Sequence, residues 1–349
     1  MKFFPGNYRD MKSHQATIRD IAIKLNLSIS TVSRALRNAP DINPETKQLV
    51  EEMAKKLHYE PNKVAQSLRS NKTNTIGVIV PEIAMHFFSS VLSGIQDYAT
   101  DQNCQVMICQ SAEHFKTEKL NLQMLVSHRV DGLLISLSSQ TKDLEHVRTV
   151  VSKKIPVVLF DRISEEIDTS KVIVDDFQGA FTAVEYLIKT GCKRIAYLGG
   201  SKNLLICTHR KNGYIKALEK YDIKVNPEYI IHSTTTEKDI SEAVIKLLQL
   251  PSPPDAVFCM NDPIAIGVIQ SLKAEGVRIP DEISVIGFTN EPVSAYIEPS
   301  LTTVAQPAYE MGKTACKLLF EQINKKGEAP ITTKVIKTEL IIRNSTRKI

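Results

Sequence analysis

Thr17-Ile18-Arg19-Asp20-Ile21-Ala22, with Leu27-Ser28-Ile29-Ser30-Thr31-Val32-Ser33-Arg34-Ala35-Leu36 shortly after it, is the stretch on which the reading of this chain turns. Thr17 and Asp20 have capping-box spacing, a hydroxyl at the helix start and a carboxylate three residues on. Ile21, Ala22 and Leu25 follow at helical spacing, and Asn26-Leu27 closes the helix. Ser28 can cap a second helix with Val32, Ala35 and Leu36 apolar and Ser30, Thr31, Ser33, Arg34 and Arg37 polar. A third begins at Asn43-Pro44-Glu45, which supplies a cap, a first-turn proline and an acid against the dipole. Leu49, Val50, Met53, Ala54 and Leu57 give it one apolar face. Two short helices across a tight turn, with a third beside them, make a helix-turn-helix shape. The second helix of such a motif enters the major groove of DNA and reads base edges from its N-terminal residues. Here these are Ile29, Ser30 and Arg34. Arg34 can donate twice to guanine, Ser30 can donate or accept, and Ile29 can meet a thymine methyl. Thr17, Ser28, Thr31, Ser33 and Asn43 stand where phosphates would be held, which sets register but not sequence. A small helical bundle that binds a protein has the same pattern, so these residues alone leave both readings open.

Charge points the same way. Residues 1–72 carry 13 Lys and Arg against 7 Asp and Glu; residues 73–349 carry 31 against 32. The whole basic excess of the 349-residue chain therefore sits in its first fifth. A basic module for a polyanion, joined to a near-neutral body, has this distribution, and so does a solvated charged face. The composition, 42% apolar and 24% charged, is that of a folded protein and excludes general disorder. No apolar run reaches the roughly 20 residues of a membrane span. Residues 1–10 lack an apolar core, so no secretory signal is expected. Cys104, Cys109, Cys192, Cys207, Cys259 and Cys316 form no C-x-x-C pair, and read as buried thiols in a reducing, cytoplasmic compartment. No metal and no cofactor are expected, because the eight histidines lack ligand spacing.

The body alternates β-branched runs with amphipathic stretches. Ile76–Val80, Val106–Cys109, Gly132–Leu137, Val157–Phe160, Arg194–Leu198, Ile230–His232, Ala256–Met260 and Ser284–Gly287 read as strands. Ser89–Ala99, Glu118–Val126, Phe177–Ile188, Asn212–Lys220, Ile240–Leu250 and Pro263–Ala274 read as helices. That rhythm argues for parallel, doubly wound sheets, and about ten units are too many for one, so two lobes are expected. Val130-Asp131-Gly132-Leu133-Leu134-Ile135 is echoed by Pro254-Asp255-Ala256-Val257-Phe258-Cys259. Two open α/β lobes bind a ligand at the carboxyl ends of their strands. The residues there are Phe87 and Phe88, Asp161-Arg162, Asn261-Asp262 after Met260, Phe288-Thr289-Asn290, and Gln306. After Leu198-Gly199-Gly200 a helix is expected to open with His209-Arg210. Polar groups beside aromatic rings suit a small polar or polyhydroxylated ligand, although strand ends are often polar simply to cap helices. Catalysis has little support: there is no phosphate-binding glycine loop and no nucleophile elbow. Asp175-Asp176 are chain neighbours that point to opposite faces, and Asp175 reads as a helix cap.

Glu60-Pro61-Asn62-Lys63-Val64-Ala65-Gln66-Ser67-Leu68-Arg69 is a helical pattern too short to be stable alone. An exposed Leu68 there could wedge into a minor groove; an ordinary linker is the plainer reading. This string, the residues quoted at the outset, Tyr59-Glu60-Pro61-Asn62, and Thr75-Ile76-Gly77-Val78-Ile79-Val80-Pro81 together resemble the LacI/GalR family of bacterial transcriptional regulators. The resemblance runs from about Thr17 almost to the C-terminus. It implies an all-α helix-turn-helix DNA-binding domain (16–60), a hinge helix and linker (61–73), and a two-lobed, periplasmic-binding-protein-like α/β effector domain of doubly wound parallel sheets (74–349). The first lobe would span about 74–174 and 307–332, the second about 175–306 and 333–349. Members begin near the equivalent of Ala16, which makes residues 1–15 an extension, or Met11 the start.

The same resemblance implies a homodimer on double-stranded operator DNA, with Ile29, Ser30 and Arg34 on bases. Asn62, Ala65, Leu68 and Arg69 would lie in the minor groove, Leu68 as the intercalating residue. The implied small-molecule effector, a sugar or sugar derivative, would meet Phe87, Phe88, Asp161, Arg210, Asn261, Phe288, Thr289 and Gln306. Thr289 departs from the family, which often has an acidic residue there. A hydroxyl cannot replace a carboxylate as a double acceptor, and that argues against a plain neutral sugar. The tail, residues 343–349, has no leucine heptad, so no tail-mediated tetramer is expected. A transport solute-binding protein would fit the body but has no use for residues 17–72. An α/β enzyme would need a catalytic constellation that the sequence lacks.

Overall fold

The computed structural model describes residues 16–60, 72–232, 236–325 and 328–348. The chain divides into two compact units, at the boundary between Thr73 and Asn74. The first holds α1 (Ile18–Leu25), α2 (Ile29–Ala35) and α3 (Pro44–Lys56). The caps form as the sequence dictates. Thr17 and Asp20 close a capping box, Ser28 Oγ accepts from Thr31 N at 3.0 Å, and Asn43 Oδ1 accepts from Glu45 N at 3.0 Å. Asn26, in the left-handed region at φ +52°, ends α1. Ile21, Ala22, Val32, Ala35 and Val50 form the core of this unit. Leu49 differs from expectation. It is 54% exposed, because the interior is filled by its neighbour Val50, about 100° round the helix.

The second unit contains two six-stranded sheets with the same strand plan. The first sheet runs β11 (Thr333–Ile336), β5 (Ser170–Val174), β4 (Val157–Phe160), β3 (Gly132–Ile135), β1 (Thr75–Val80), β2 (Gln105–Gln110). The second runs β12 (Glu339–Ile341), β10 (Thr302–Ala305), β9 (Ser284–Thr289), β8 (Ala256–Cys259), β6 (Ile195–Gly199), β7 (Ile230–His232). All pairings are parallel except β10 with β12. The two echoed segments are β3 and β8, which hold equivalent places. Asp131 N bonds Thr75 O in one lobe just as Asp255 N bonds Arg194 O in the other. β3, β4 and β8 are buried along their whole length, as strands covered on both faces must be.

The chain crosses between lobes at Asp175, at Gln306-Pro307 and at Lys337-Thr338. The last crossing corrects the expected lobe limits. The resemblance places residues 333–336 in the second lobe, but Thr333–Ile336 pairs in parallel with β5 of the first. Its alternating Thr, Lys, Val, Ile pattern suits either sheet, and only the pairing decides. Helix Leu205–Lys220 also begins earlier than expected, so His209 and Arg210 lie in its second turn and not at its start. Helix Glu145–Ser152, strand β5 and helix Ala308–Asn324 add to the elements read from the sequence.

Helix Ala308–Asn324 packs across helix His86–Asp101 so closely that glycine is required. A Cβ on Gly312 would collide with the Val91 carbonyl, and one on Gly94 with the Tyr309 carbonyl. Backbone cannot yield as a side-chain end can, so Gly312→Val should cost about 1–3 kcal/mol or more. Equilibrium urea unfolding followed by circular dichroism should show a lowered midpoint. An unchanged midpoint would mean that the two helices can separate freely.

Candidate functional site

On α2, Ile29 is 45% exposed, and Ser30 and Arg34 are exposed beside it. Ser30 Oγ lies 2.7 Å from Ser28 Oγ, and Thr31 Oγ1 lies 2.8 Å from the same atom. The hydroxyls therefore form a small network at the helix start. Arg34 is ion-paired with Asp41. Both side chains are about half exposed, so the pair is weakly held and the guanidinium can exchange partners. Ser33 is half-buried, and its carbonyl accepts from Arg37 Nε at 2.9 Å. Asn62, Ala65, Leu68 and Arg69 lie outside the described residues.

The second unit gathers its candidates around Arg210. This side chain is 2% exposed and fully engaged. Nε donates to Asp176 Oδ1 at 2.7 Å, Nη1 to the Met260 carbonyl at 2.5 Å and Nη2 to Gln306 Oε1 at 3.4 Å. The guanidinium stacks on the Phe288 ring at 3.7 Å. Asp161 and Arg162, at the carboxyl end of β4, face this group from the first lobe. Asp161 is buried and takes φ +55°, a left-handed conformation that is uncommon for a residue with a side chain. Arg162 donates to Glu113 Oε1 at 2.6 Å and lies over the Phe88 ring at 5.5 Å. Phe87 meets Phe88 edge to face at 5.1 Å.

Supporting groups fix these positions. Asn261 caps helix Asp262–Ala274, accepting from Ile264 N at 3.0 Å, so its carbonyl-type oxygen is occupied. Asp262, wholly buried, accepts from Glu291 N at 2.8 Å, from Ser294 Oγ at 2.7 Å and from Thr303 Oγ1 at 2.5 Å. It thereby anchors the loop that presents Thr289, Asn290 and Glu291. Thr289 bends there, at φ +128°, and its carbonyl accepts from Gln306 N at 3.3 Å. In the first lobe, buried Glu118 accepts from Ser138 N at 2.6 Å and lies 2.8 Å from His146 Nε2. That bond holds the loop whose Ser139 N donates to Glu113 Oε2 at 2.7 Å, while Asn203 of the second lobe donates to the Ser139 carbonyl at 3.3 Å.

Arg162 is on the list of strand-end residues read from the sequence; Asp176 and Glu113 are members of this group that the sequence does not announce. Asp175 does cap helix Asp176–Lys189, as expected, by accepting from Gln178 N at 2.8 Å. As a chain neighbour of Asp175, pointing to the opposite face, Asp176 reads from the sequence as half of an unproductive pair. It turns inward and neutralises Arg210. A buried carboxylate one residue past a cap is the one signal that pointed to it.

Among the described residues no group of three or more His, Cys, Asp or Glu could hold a metal ion, and no helix is long and apolar enough to cross a membrane. A three-helix unit exposing the first turn of its second helix, and a two-lobed α/β unit with charged groups at its strand ends, define a DNA-binding regulator. Residues 17–62 match the model for bacterial regulatory proteins of the lacI family, and residues 184–346 that for a periplasmic binding protein-like domain. The chain is 35% identical over 334 residues to the transcriptional repressor CytR of Escherichia coli strain K12, covering 95% of this chain and 96% of that protein. Its fold is similar to a CelR–cellobiose complex, with TM-score 0.72 and 25% identity over 95% of this chain and 99% of that one. It is also similar to the lac repressor dimer bound to operator, with TM-score 0.84 and 24% identity over 95% and 99% of the two chains. The chain belongs to the lacI family of bacterial regulatory proteins.

Burial pushes the Asp161 carboxyl up to about 6; Arg162 and Arg210 oppose that shift and Asp176 adds to it. The folded state therefore binds this proton more tightly than the unfolded chain, whose aspartates titrate near 3.9. Stability is lost as pH rises through the window from about 4 to about 6. Subtracting the pH profile of Asp161→Asn from that of the wild type, using urea midpoints, should show this loss and its direction. A flat difference would mean that Asp161 is well solvated.

Proposed function

We propose that the protein is a ligand-responsive repressor that binds a pseudo-palindromic operator as a homodimer. The observation that carries this is the exposed face of α2, where Ile29 and Ser30 in the first turn and Arg34 in the last stand clear of the core on a capped helix. Arg34 reads guanine, Ser30 and Ile29 the adjacent bases, and Thr17, Ser28, Thr31, Ser33 and Asn43 hold phosphates. Leu68 wedges into the minor groove, flanked by Asn62, Ala65 and Arg69. The protein is not an enzyme; it works in the cytoplasm on the nucleoid and controls carbohydrate or related catabolic genes.

The effector binds between the lobes, against Phe87, Phe88, Asp161, Arg210, Asn261, Phe288, Thr289 and Gln306. Support for a small polar ligand comes from relatives: one solved structure holds cellobiose, another ribose. Lobe closure alters how two first lobes pack in the dimer and so the spacing of the two hinge segments. DNA and effector need only differ in their affinity for the two states.

Binding to genomic fragments should be sequence-selective and should weaken steeply with salt as counterions are released. Arg34→Ala should cost about 1–3 kcal/mol of discrimination at one base pair, with nonspecific binding little changed. Competition between operator variants in a mobility-shift assay measures both. If the wild type shows no salt-sensitive preference, the regulator reading fails.

A further inference from the structure

Arg34 and Arg37 lie at the end of α2, and both are already engaged. Arg37 Nε turns back onto its own helix and donates to the Ser33 carbonyl at 2.9 Å. Arg34 is ion-paired through Nη2 with Asp41 Oδ2, which stands on the turn between α2 and α3. That turn is built to keep Asp41 there. Asn38 N bonds the Ala35 carbonyl at 2.9 Å and Ala39 N bonds the Arg34 carbonyl at 3.0 Å, so the chain folds back over the end of α2. Asn38 takes the left-handed region at φ +54°, and its Oδ1 accepts from Lys47 Nζ of α3 at 2.8 Å. Ile42, next to Asp41, packs against the three-helix core, and Asn43 caps α3. Neighbours on both sides therefore fix the Asp41 backbone, while its carboxylate stays half-exposed beside a half-exposed Arg34.

A cation facing DNA meets two kinds of acceptor. Phosphates attract it by net charge, whatever the sequence. Guanine O6 and N7 attract it by hydrogen-bond geometry, and only where the sequence supplies them. A carboxylate paired with the cation cancels the first attraction and spares the second. A guanidinium has donors on three nitrogens; Asp41 engages Nη2, and the others keep N–H groups for a base edge. Leaving Asp41 to bind a phosphate would set its carboxylate, unpaired, against a polyanion. Donating to guanine from the remaining nitrogens keeps the pair intact.

We propose that Asp41 is a specificity-determining residue, which holds Arg34 in a neutral pair that reads guanine but gains little from phosphate. The inference rests on Arg34 being the base-reading arginine. Asp41 works by suppressing attachment to unrelated DNA, and adds no contact of its own to the operator. A half-exposed ion pair is weak in water, so the filter is modest in each protomer and acts twice in a dimer.

The test uses the full chain and two labelled duplexes. One is recovered by the wild type from a random-sequence library; the other is an unselected duplex of the same length and composition. Fluorescence anisotropy gives the affinity for each across a salt series. Asp41→Asn keeps the shape of the side chain and removes its charge. It should tighten binding to the unselected duplex and lower the preference for the selected one about fivefold. On the unselected duplex its log–log salt slope should steepen by about 0.9 for each protomer, one phosphate more than the wild type neutralises. Combined with Arg34→Ala, Asp41→Asn should add nothing to the effect of Arg34→Ala alone, because the cation it releases is gone. Asp41→Glu should behave as the wild type. Circular dichroism checks the helices, and Asp41→Ala serves if Asp41→Asn does not fold. Equal preference and slope in wild type and Asp41→Asn overturn the proposal. So does an effect of equal size with and without Arg34→Ala, which marks plain repulsion between Asp41 and DNA. A changed base preference with an unchanged slope also overturns it, and marks Asp41 as a base reader. If the wild type recovers no preferred duplex, the regulator reading fails, and the slope on the unselected duplex still decides whether Asp41 restrains Arg34.

Discussion

A guanidinium taken almost wholly out of water is the constraint around which the second lobe is arranged. A buried charge is tolerated only when it is paired and its remaining hydrogens are bonded. Arg210 meets that demand with groups from four places in the chain: Asp176 at the start of one helix, the Met260 carbonyl after β8, Gln306 at a crossover, and the Phe288 ring on β9. Moving any of these elements would strand a charge. The strand ends of this lobe are therefore fixed relative to one another, and the crossover residue Gln306 ties that rigid face to the path leading back into the first lobe.

The first lobe repeats the logic with weaker parts. Its strand order matches that of the second lobe position for position, but its arginine sits just past the central strand β4, whereas Arg210 lies on a helix. Arg162, however, pairs with a half-exposed Glu113 on a loop, and Glu113 accepts from Ser139 N of a second loop, which buried Glu118 holds from behind. One side of the cleft is set by a helix and three strand ends, the other by a loop.

Much of this was legible in the residues. Caps are local, so Thr17, Ser28, Asn43 and Asp175 declared their helices, and apolar runs declared the strands. The rule that ligands meet the carboxyl ends of strands brought Asp161, Phe288 and Gln306 onto one short list, and the structure places Asp161 and Phe288 around Arg210 with Gln306 between them. What stayed hidden was pairing across distance. Asp176 and Arg210 are 34 positions apart and Arg162 and Glu113 are 49, and no periodicity links them. The start of helix Leu205–Lys220 carries no signal in the sequence, because Leu204 supplies no side-chain cap. The lobe of β11 is not legible, because an exposed edge strand shows no apolar pattern that ties it to one sheet.

The glycine-mediated contact between helices His86–Asp101 and Ala308–Asn324 joins the beginning of the second unit to a segment near its end. During synthesis the ribosome delivers five strands and three helices of the first lobe early, but the helix that covers one face of that sheet emerges only after all of the second lobe except its edge strand β12 and the tail has been made. At about 5–20 residues per second, that leaves many seconds in which the apolar face behind Phe88, Val91 and Ile95 has no partner. The second lobe, almost contiguous from Asp176 to Ala305, can close on itself in that interval. Translation thus imposes an order on assembly: most of the second lobe is available to fold before the first lobe receives its covering helix, and the edge strand β12 and the tail close the second lobe last.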